Sequence, residues 1–362
     1  MKLVAAIKLL PTREQAAVLK ATLKRCNDAC TALAAKGFAA GVLRQFDLHK
    51  LTYAETRSEF DLTAQAAVRC ISKVADAFKV NRVVAPVFRA DAAQPYDERI
   101  LSFKGEDTVS IWTIKGRMKL KFVAGEHQRA LLAFRKGEVD LCFVRGKWLL
   151  AATCEIPETT EFKASDWIGV DLGIVSLAAT SDGVIHTGAD IERVRAKLNE
   201  RRRGLQKKGT KAAKKRLKQI AGKQARFQKA VNHKISKDIV TVAERTLRGI
   251  AVEELTHIRK RVTARRNGLN RLSNWSFGQL RAFLAYKSKR AGVPLVAVDP
   301  AYTSQGCSCC GTIDKKNRPS QAIFLCVSCK HESLADLNAA RNIRDLARAA
   351  VTPSESLRAI AA

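Results

Sequence analysis

Residues 307–343 read CSCCGTIDKKNRPSQAIFLCVSCKHESLADLNAARNI. Cys307-x-x-Cys310 and Cys326-x-x-Cys329 are separated by fifteen residues. Two such knuckles can supply four thiolates to one tetrahedral Zn²⁺ with no open position, so the expected site is structural. Its occupation contributes on the order of 10 kcal/mol to local folding. Cys309 and His331 stand close enough in sequence to substitute as ligands, but the paired knuckle spacing favours the other four. Cys26, Cys30, Cys70, Cys142 and Cys154 are scattered, which argues against a disulfide scaffold.

The same stretch ends on an acid in an apolar, helix-forming run, Asp336. Working outward, two more acids stand where an apolar setting discourages them: Asp171 in IGVDLG (168–173) and Glu253 in IAVEEL (250–255). Isolated buried carboxylates are costly, which suggests a compensating cation. Oxygen ligands suit Mg²⁺ or Mn²⁺, and two such ions about 4 Å apart can activate water and stabilise the leaving oxygen of a phosphodiester. Glu254 competes with Glu253, and strand neighbours face opposite sides, so only one of them can point at the metals.

Around these acids the pattern predicts strands at IGVDLG, VSLAATSDG and VIHT, the last pair joined at Asp182-Gly183, then a buried strand at GIAVEEL and another at LVAV (295–298). A loop rich in Arg and Asn is expected from Arg259 to Asn274. A helix follows from about Phe277 to Ala291, with a Ser276 to Gln279 capping pattern and a Gly292, Pro294 stop. A final helix covers NAARNIRDLARAA. Between them, residues 192–237 hold 18 Lys or Arg and only 2 Glu. Good helix formers dominate there, and Gly204, Gly209 and Thr210 suggest a break between two basic helices.

Toward the N terminus, Lys2 to Leu9 reads as a strand. Thr12 and Gln15 form a capping-box pattern ahead of Ala16, Leu19, Leu23, Cys26 and Cys30 at helical spacing. Another helix is expected within Leu62 to Val80. From about Ile100 to Ile156, short runs separated by Gly116, Gly125, Gly137 and Gly146 read as an antiparallel β module. The first strand is expected to pair with it across the helices, making them an insertion in a β-barrel.

The whole chain of 362 residues carries 65 Lys and Arg against 34 acids, a net charge of +31, with 46% hydrophobic content. That composition excludes a disordered tail and calls for a polyanionic partner. Aromatic residues make up only 6%, so affinity is expected mostly from phosphate contacts. Candidate contacts are Arg201, Arg202, Arg203, Lys207, Lys208, Lys214, Lys215 and Arg216 in the basic helices. No apolar run approaches the roughly 18 residues of a membrane helix, and Lys8 interrupts the opening apolar stretch. A cytoplasmic protein is expected, associated with the nucleoid when bound to DNA.

The ordered set IGVDLG, AVEEL, NWSFGQLRAFLAYKSKRAGVPLVAVDPAYTSQGCSCCG, FLCVSCK and ADLNAARNI closely resembles TnpB, the OrfB protein of bacterial insertion sequences and a relative of type V CRISPR effectors. The resemblance runs from about residue 160 to 345; before that, only the order of strand, helix and β module is similar. It implies a multidomain protein of α+β and α/β class. A wedge β-barrel would occupy residues 1–10 and 96–160, with a helical recognition insertion at 11–95. An RNase H-like RuvC nuclease domain would occupy 161–300 and 331–362, with a zinc ribbon inserted at 301–330. The resemblance also implies that Asp171, Glu253 and Asp336 are catalytic Mg²⁺ ligands, selects Glu253 over Glu254, and places Asn338 and Arg341 near the metals or a phosphate. Lys330 departs from the pattern, since a glycine usually follows the last cysteine.

The resulting expectation is a transposon-encoded, RNA-guided DNA endonuclease. A guide RNA is held by protein cations, base pairing selects a double-stranded DNA target, and hydrolysis proceeds with two Mg²⁺ or Mn²⁺ ions. One alternative is a transposase performing strand transfer, although no His-x-His pair is present for the tyrosine-dependent single-strand type. Another is a basic zinc-ribbon protein that binds nucleic acid as a repressor without cutting it.

Overall fold

A computed structural model describes residues 1–173, 175–254 and 277–351 of the chain. The Arg- and Asn-rich stretch 259–274 and the cap expected at Ser276 lie outside the described residues. The chain divides into two compact units, Met1–Pro157 and Glu158 onward. Among the described residues no helix is long and apolar enough to cross a membrane.

The first unit is built on a seven-stranded antiparallel sheet. Its strands are β1 (Lys2–Leu9), β2 (Gln94–Tyr96), β3 (Leu101–Lys104), β4 (Thr108–Thr113), β5 (Gly116–Val123), β6 (Arg135–Val144) and β7 (Lys147–Glu155), in the order β2-β6-β7-β1-β5-β4-β3. β1 occupies the middle of the sheet, with Lys2 opposite Glu155, Lys8 opposite Leu149 and Leu9 opposite Phe122. The two edge strands are consecutive in the chain, and the buried Tyr96 phenol of β2 donates to the Trp112 carbonyl of β4 at 3.3 Å. The sheet is therefore a nearly closed barrel.

Helices α1 (Arg13–Ala39), α2 (Gln45–Phe60) and α3 (Ala64–Val80) lie between β1 and β2 in the chain. The Thr12–Gln15 capping box starts α1, and its face of Leu19, Leu23, Cys26 and Cys30 joins Cys70, Ile71, Val74 and Phe78 of α3 in one core. Burial pushes the Cys30 thiol well up from its ordinary value, so these cysteines serve as small apolar core residues. A short helix, α4 (Glu126–Leu132), stands inside the expected β module after β5.

The second unit holds a mixed five-stranded sheet of β8 (Trp167–Asp171), β9 (Ser176–Thr180), β10 (Ile185–Thr187), β11 (Gly249–Glu253) and β12 (Leu295–Val298), ordered β10-β9-β8-β11-β12. β8, β9 and β10 form the expected meander, whereas β11 runs parallel to both β8 and β12. Three helices separate β10 from β11, not two: α5 (Ala189–Lys208), α6 (Lys211–Ile220) and α7 (Lys223–Arg245). Gly204 is inside α5. The first break falls at Gly209 (φ 63°) with Thr210 capping α6, and the second falls at Gly222 (φ 72°). Both glycines take the left-handed backbone that L side chains resist. A lone helical glycine costs about 1 kcal/mol and need not end a helix.

α7 packs on α8 (Phe277–Ala291) through a cluster that includes Ile235, Ile239, Leu280 and Leu284 beside the sheet residues Val170 and Val252. α9 (Ala335–Val351) contributes Ile343 and Ala347 to a second cluster with Trp167 and Ala251. A small hairpin of β13 (Ile323–Leu325) and β14 (Glu332–Leu334) carries the second cysteine knuckle, and β14 leads directly into α9.

Candidate functional site

The parallel pairing of β11 with β8 sets Val252 opposite Val170, so the last residues of the two strands, Glu253 and Asp171, emerge side by side. Asp336 is the second residue of α9. All three acids line one cleft of about 560 Å³, together with Thr303, Arg318 and Leu334. Burial, and then the negative charges of Glu253 and Asp336, push Asp171 up to about 7, while Arg318 opposes the shift. Burial raises Glu253 as well, and the Thr303 hydroxyl opposes it. Two buried carboxylates that resist ionisation, with a third acid lining the same cleft, form a donor set that a divalent, oxygen-liganded cation fits.

Glu254 faces elsewhere and forms a two-pronged ion pair with Arg281 of α8. The choice between the neighbouring glutamates is therefore resolved by geometry: Glu253 lines the cleft and Glu254 ties β11 to α8.

The second cluster is tighter. The sulfurs of Cys307, Cys310, Cys326 and Cys329 all lie within 4.8 Å of one another, and among the described residues this is the one group of three or more candidate ligand atoms so close. Cys307 and Cys329 sulfurs are 3.7 Å apart, and those of Cys310 and Cys326 are 3.6 Å apart. A tetrahedron with Zn–S bonds of about 2.3 Å has edges of roughly 3.8 Å, which this spacing matches. The hydroxyl and backbone N–H of Thr312 draw Cys310 down to about 6, whereas Cys329, despite the His331 backbone N–H, is pushed up to about 12 by the neighbouring thiols and by burial. Cys309 and His331 stand outside the four.

The ribbon is fastened to α9 by asparagines. Asn338, fully buried, donates to the Gly306 carbonyl at 2.7 Å and accepts from the Ser308 N–H at 3.0 Å. These bonds tie its amide to the first knuckle, and Asn338 is not among the residues that line the acidic cleft. Asn317, also fully buried, donates to the carbonyls of Gln305 and Thr312 and accepts from the Val327 N–H. It joins the two knuckles and sets the position of Arg318, the next residue.

Arg318 and Thr303 are site residues that sequence reasoning missed. Arg318 looks like one more solvated cation in the spacer between the knuckles. Thr303 carried a signal in its AYTSQGC setting, but only the fold brings it to Glu253. Of the proposed nucleic-acid contacts, Arg201, Arg202, Arg203, Lys207 and Lys208 stand exposed on α5, and Lys214, Lys215 and Arg216 on α6. None of these eight forms an ion pair with a described acid, and none lines the acidic cleft. Arg341 is half-buried on α9 and also lies outside the cleft lining.

Residues 277–343 match the Cas12f1-like TNB domain family. Over 219 residues the chain is 36% identical to the CRISPR-associated endodeoxyribonuclease Cas12f1 of Sulfoacidibacillus thermotolerans, covering 55% of this chain and 50% of the relative. It is 31% identical over 143 residues to a TnpB-like protein of Methanocaldococcus jannaschii, covering 38% of this chain and 51% of the relative. A solved structure of the mini-RNA-guided endonuclease CRISPR-Cas phi3 aligns with a TM-score of 0.55 at 11% identity, covering 97% of this chain and 92% of that one, so the fold is shared. The chain is similar to the TnpB-like and Cas12f1 proteins, and spans about half the length of these curated relatives.

Proposed function

We propose that the chain is a transposon-encoded, RNA-guided DNA endonuclease that hydrolyses DNA phosphodiesters. The observation that carries this reading is the meeting of Asp171, Glu253 and Asp336, from two parallel strand ends and a helix start, on one cleft. The sheet order supports an RNase H-like RuvC domain at 161–300 and 331–362, with the ribbon inserted at 301–330. The barrel supports a wedge domain at 1–10 and 96–160, with a helical recognition insertion at 11–95.

In this reading the three carboxylates hold two Mg²⁺ or Mn²⁺ ions, which supply water activation and stabilisation of the leaving oxygen when bound. Arg318 offers a cation to the phosphate entering the cleft. The four cysteines hold one structural Zn²⁺ that keeps Thr303 and Arg318 in place. The exposed cations of α5 and α6 bind the backbones of a guide RNA and a double-stranded DNA target, and RNA–DNA pairing selects the sequence. The names of the relatives, an endodeoxyribonuclease among them, point the same way.

The test is to purify the chain with its bound RNA, sequence that RNA, and incubate the complex with matching duplex DNA and Mg²⁺. Cleavage that Asp336→Ala abolishes while RNA still binds is the expected result. Tight target binding without product in Mg²⁺ or Mn²⁺ would overturn the reading in favour of a non-cleaving binder, and joined donor–target molecules would overturn it in favour of strand transfer.

A further inference from the structure

Thr303 is 4% exposed, yet its hydroxyl serves no secondary structure. It stands in the turn between β12 and the first knuckle, lines the acidic cleft, and donates to Oε1 of Glu253. The Pro300 carbonyl, 3.1 Å away, is the competing acceptor. A hydroxyl has one proton, and an ionised carboxylate takes it in preference to a neutral carbonyl. With Oε1 so engaged, the Glu253 side chain is held to one orientation, and Oε2 has no hydrogen-bond partner among the described residues.

The other side of Thr303 is also fixed. Its carbonyl accepts from Nδ2 of Asn342 at 2.8 Å, and the same Nδ2 reaches the Gly306 carbonyl at 2.8 Å. Asn342 belongs to α9, the helix that carries Asp336. Asn342 and Thr303 thus form a hydrogen-bonded path from the helix of one acid to the carboxylate of another. Carboxylate ligands are commonly oriented by partners of this kind, whose loss costs about 10–100-fold in metal affinity.

We propose that Thr303 is a positioning residue that orients Glu253 for a divalent cation and sets the register between Glu253 and Asp336. The inference rests on the reading of the three acids as a divalent-cation site. Its test uses the full chain and Mn²⁺ as the probe, with affinity read from the free-ion EPR signal. Thr303→Val removes the donor at nearly constant volume, and Thr303→Ser keeps it. The Val variant is expected to bind Mn²⁺ about 10–100-fold more weakly, with unchanged zinc content, and its slow cleavage recovers at saturating Mg²⁺. The Ser variant stays within about threefold of wild type.

A Val variant that loses zinc and melts early, but keeps wild-type Mn²⁺ affinity, would show a merely structural role and overturn the inference. If Val prevents folding, Thr303→Ala supplies the same comparison. Glu253→Gln separates the two levels. Loss of Mn²⁺ binding in it, with wild-type binding in Thr303→Val, overturns the positioning role alone. Wild-type Mn²⁺ binding in Glu253→Gln overturns the metal-site reading and the inference with it.

Discussion

At the scale of single residues, the acid at the end of β8 shows what the site costs without a cation. Asp171 is held up to about 7 from an ordinary 3.8, so between those values the folded chain keeps a proton that the unfolded chain has lost. Its contribution to stability is therefore full below about pH 4 and falls as pH rises toward 7. The loss is at most about 4 kcal/mol. In the metal-free protein, Asp171→Asn should raise the melting temperature at pH 8 and leave it nearly unchanged at pH 4. Melting curves across that range check this, and a variant no more stable than wild type at pH 8 would contradict the assigned strain. A second residue, Lys330, has φ +61° and closes the second knuckle through its N–H to the Cys326 carbonyl at 3.1 Å. The left-handed backbone disfavours any L side chain and suits a glycine at this position. Lys330→Gly should stabilise the zinc-loaded ribbon by roughly 0.5–1 kcal/mol, the left-handed penalty less the extra chain entropy of glycine. Chelator competition measures it, and weaker zinc retention in the variant would refute the account.

At the scale of elements, α9 rests on β8 so closely that a Cβ built on Gly169 would lie 1.9 Å from the Ala340 carbonyl oxygen and 2.5 Å from the Arg344 nitrogen. Both obstacles are backbone, so relief requires moving the helix that carries Asp336. Gly169→Ala should cost about 3 kcal/mol, the upper end of ordinary overpacking. Urea denaturation reads this directly, and a change below about 0.5 kcal/mol would show that the helix sits less tightly than the backbone distances require. The strand IGVDLG was legible from its alternation of small and apolar residues, but the demand for glycine within it comes from a helix 170 residues later. The same limit hid α2. Its buried face is Leu48, Thr52 and Thr56, and Thr52 satisfies its hydroxyl on the Leu48 carbonyl at 2.6 Å, so a core-facing stripe reads as polar. Cysteine spacing, by contrast, is a local geometric rule, and the four thiols converge as the spacing expects. The three acids share no local rule. Their apolar settings marked them singly, and only parallel pairing of β8 with β11 brings two of them together.

At the scale of the whole molecule, a net charge of +31 must be balanced by something other than the chain's own acids. Part of it stands exposed on α5: Arg201, Arg202, Arg203, Lys207 and Lys208 have no acidic partner among the described residues. If these side chains meet phosphates, each contact releases condensed counterions, and the slope of log affinity against log salt falls by about 0.7 per contact on single-stranded RNA or 0.9 on duplex. Changing all five to alanine should therefore flatten the slope for RNA binding by up to about 4 and weaken binding most at low salt. Asp336→Ala should leave the slope unaltered, because it removes an acid that lines the cleft and no cation. RNA titrations between 50 and 200 mM salt, the range over which such contacts are commonly resolved, distinguish the two variants. An unchanged slope in the fivefold alanine variant would mean that α5 is only a solvated face and that the polyanion binds elsewhere on the chain.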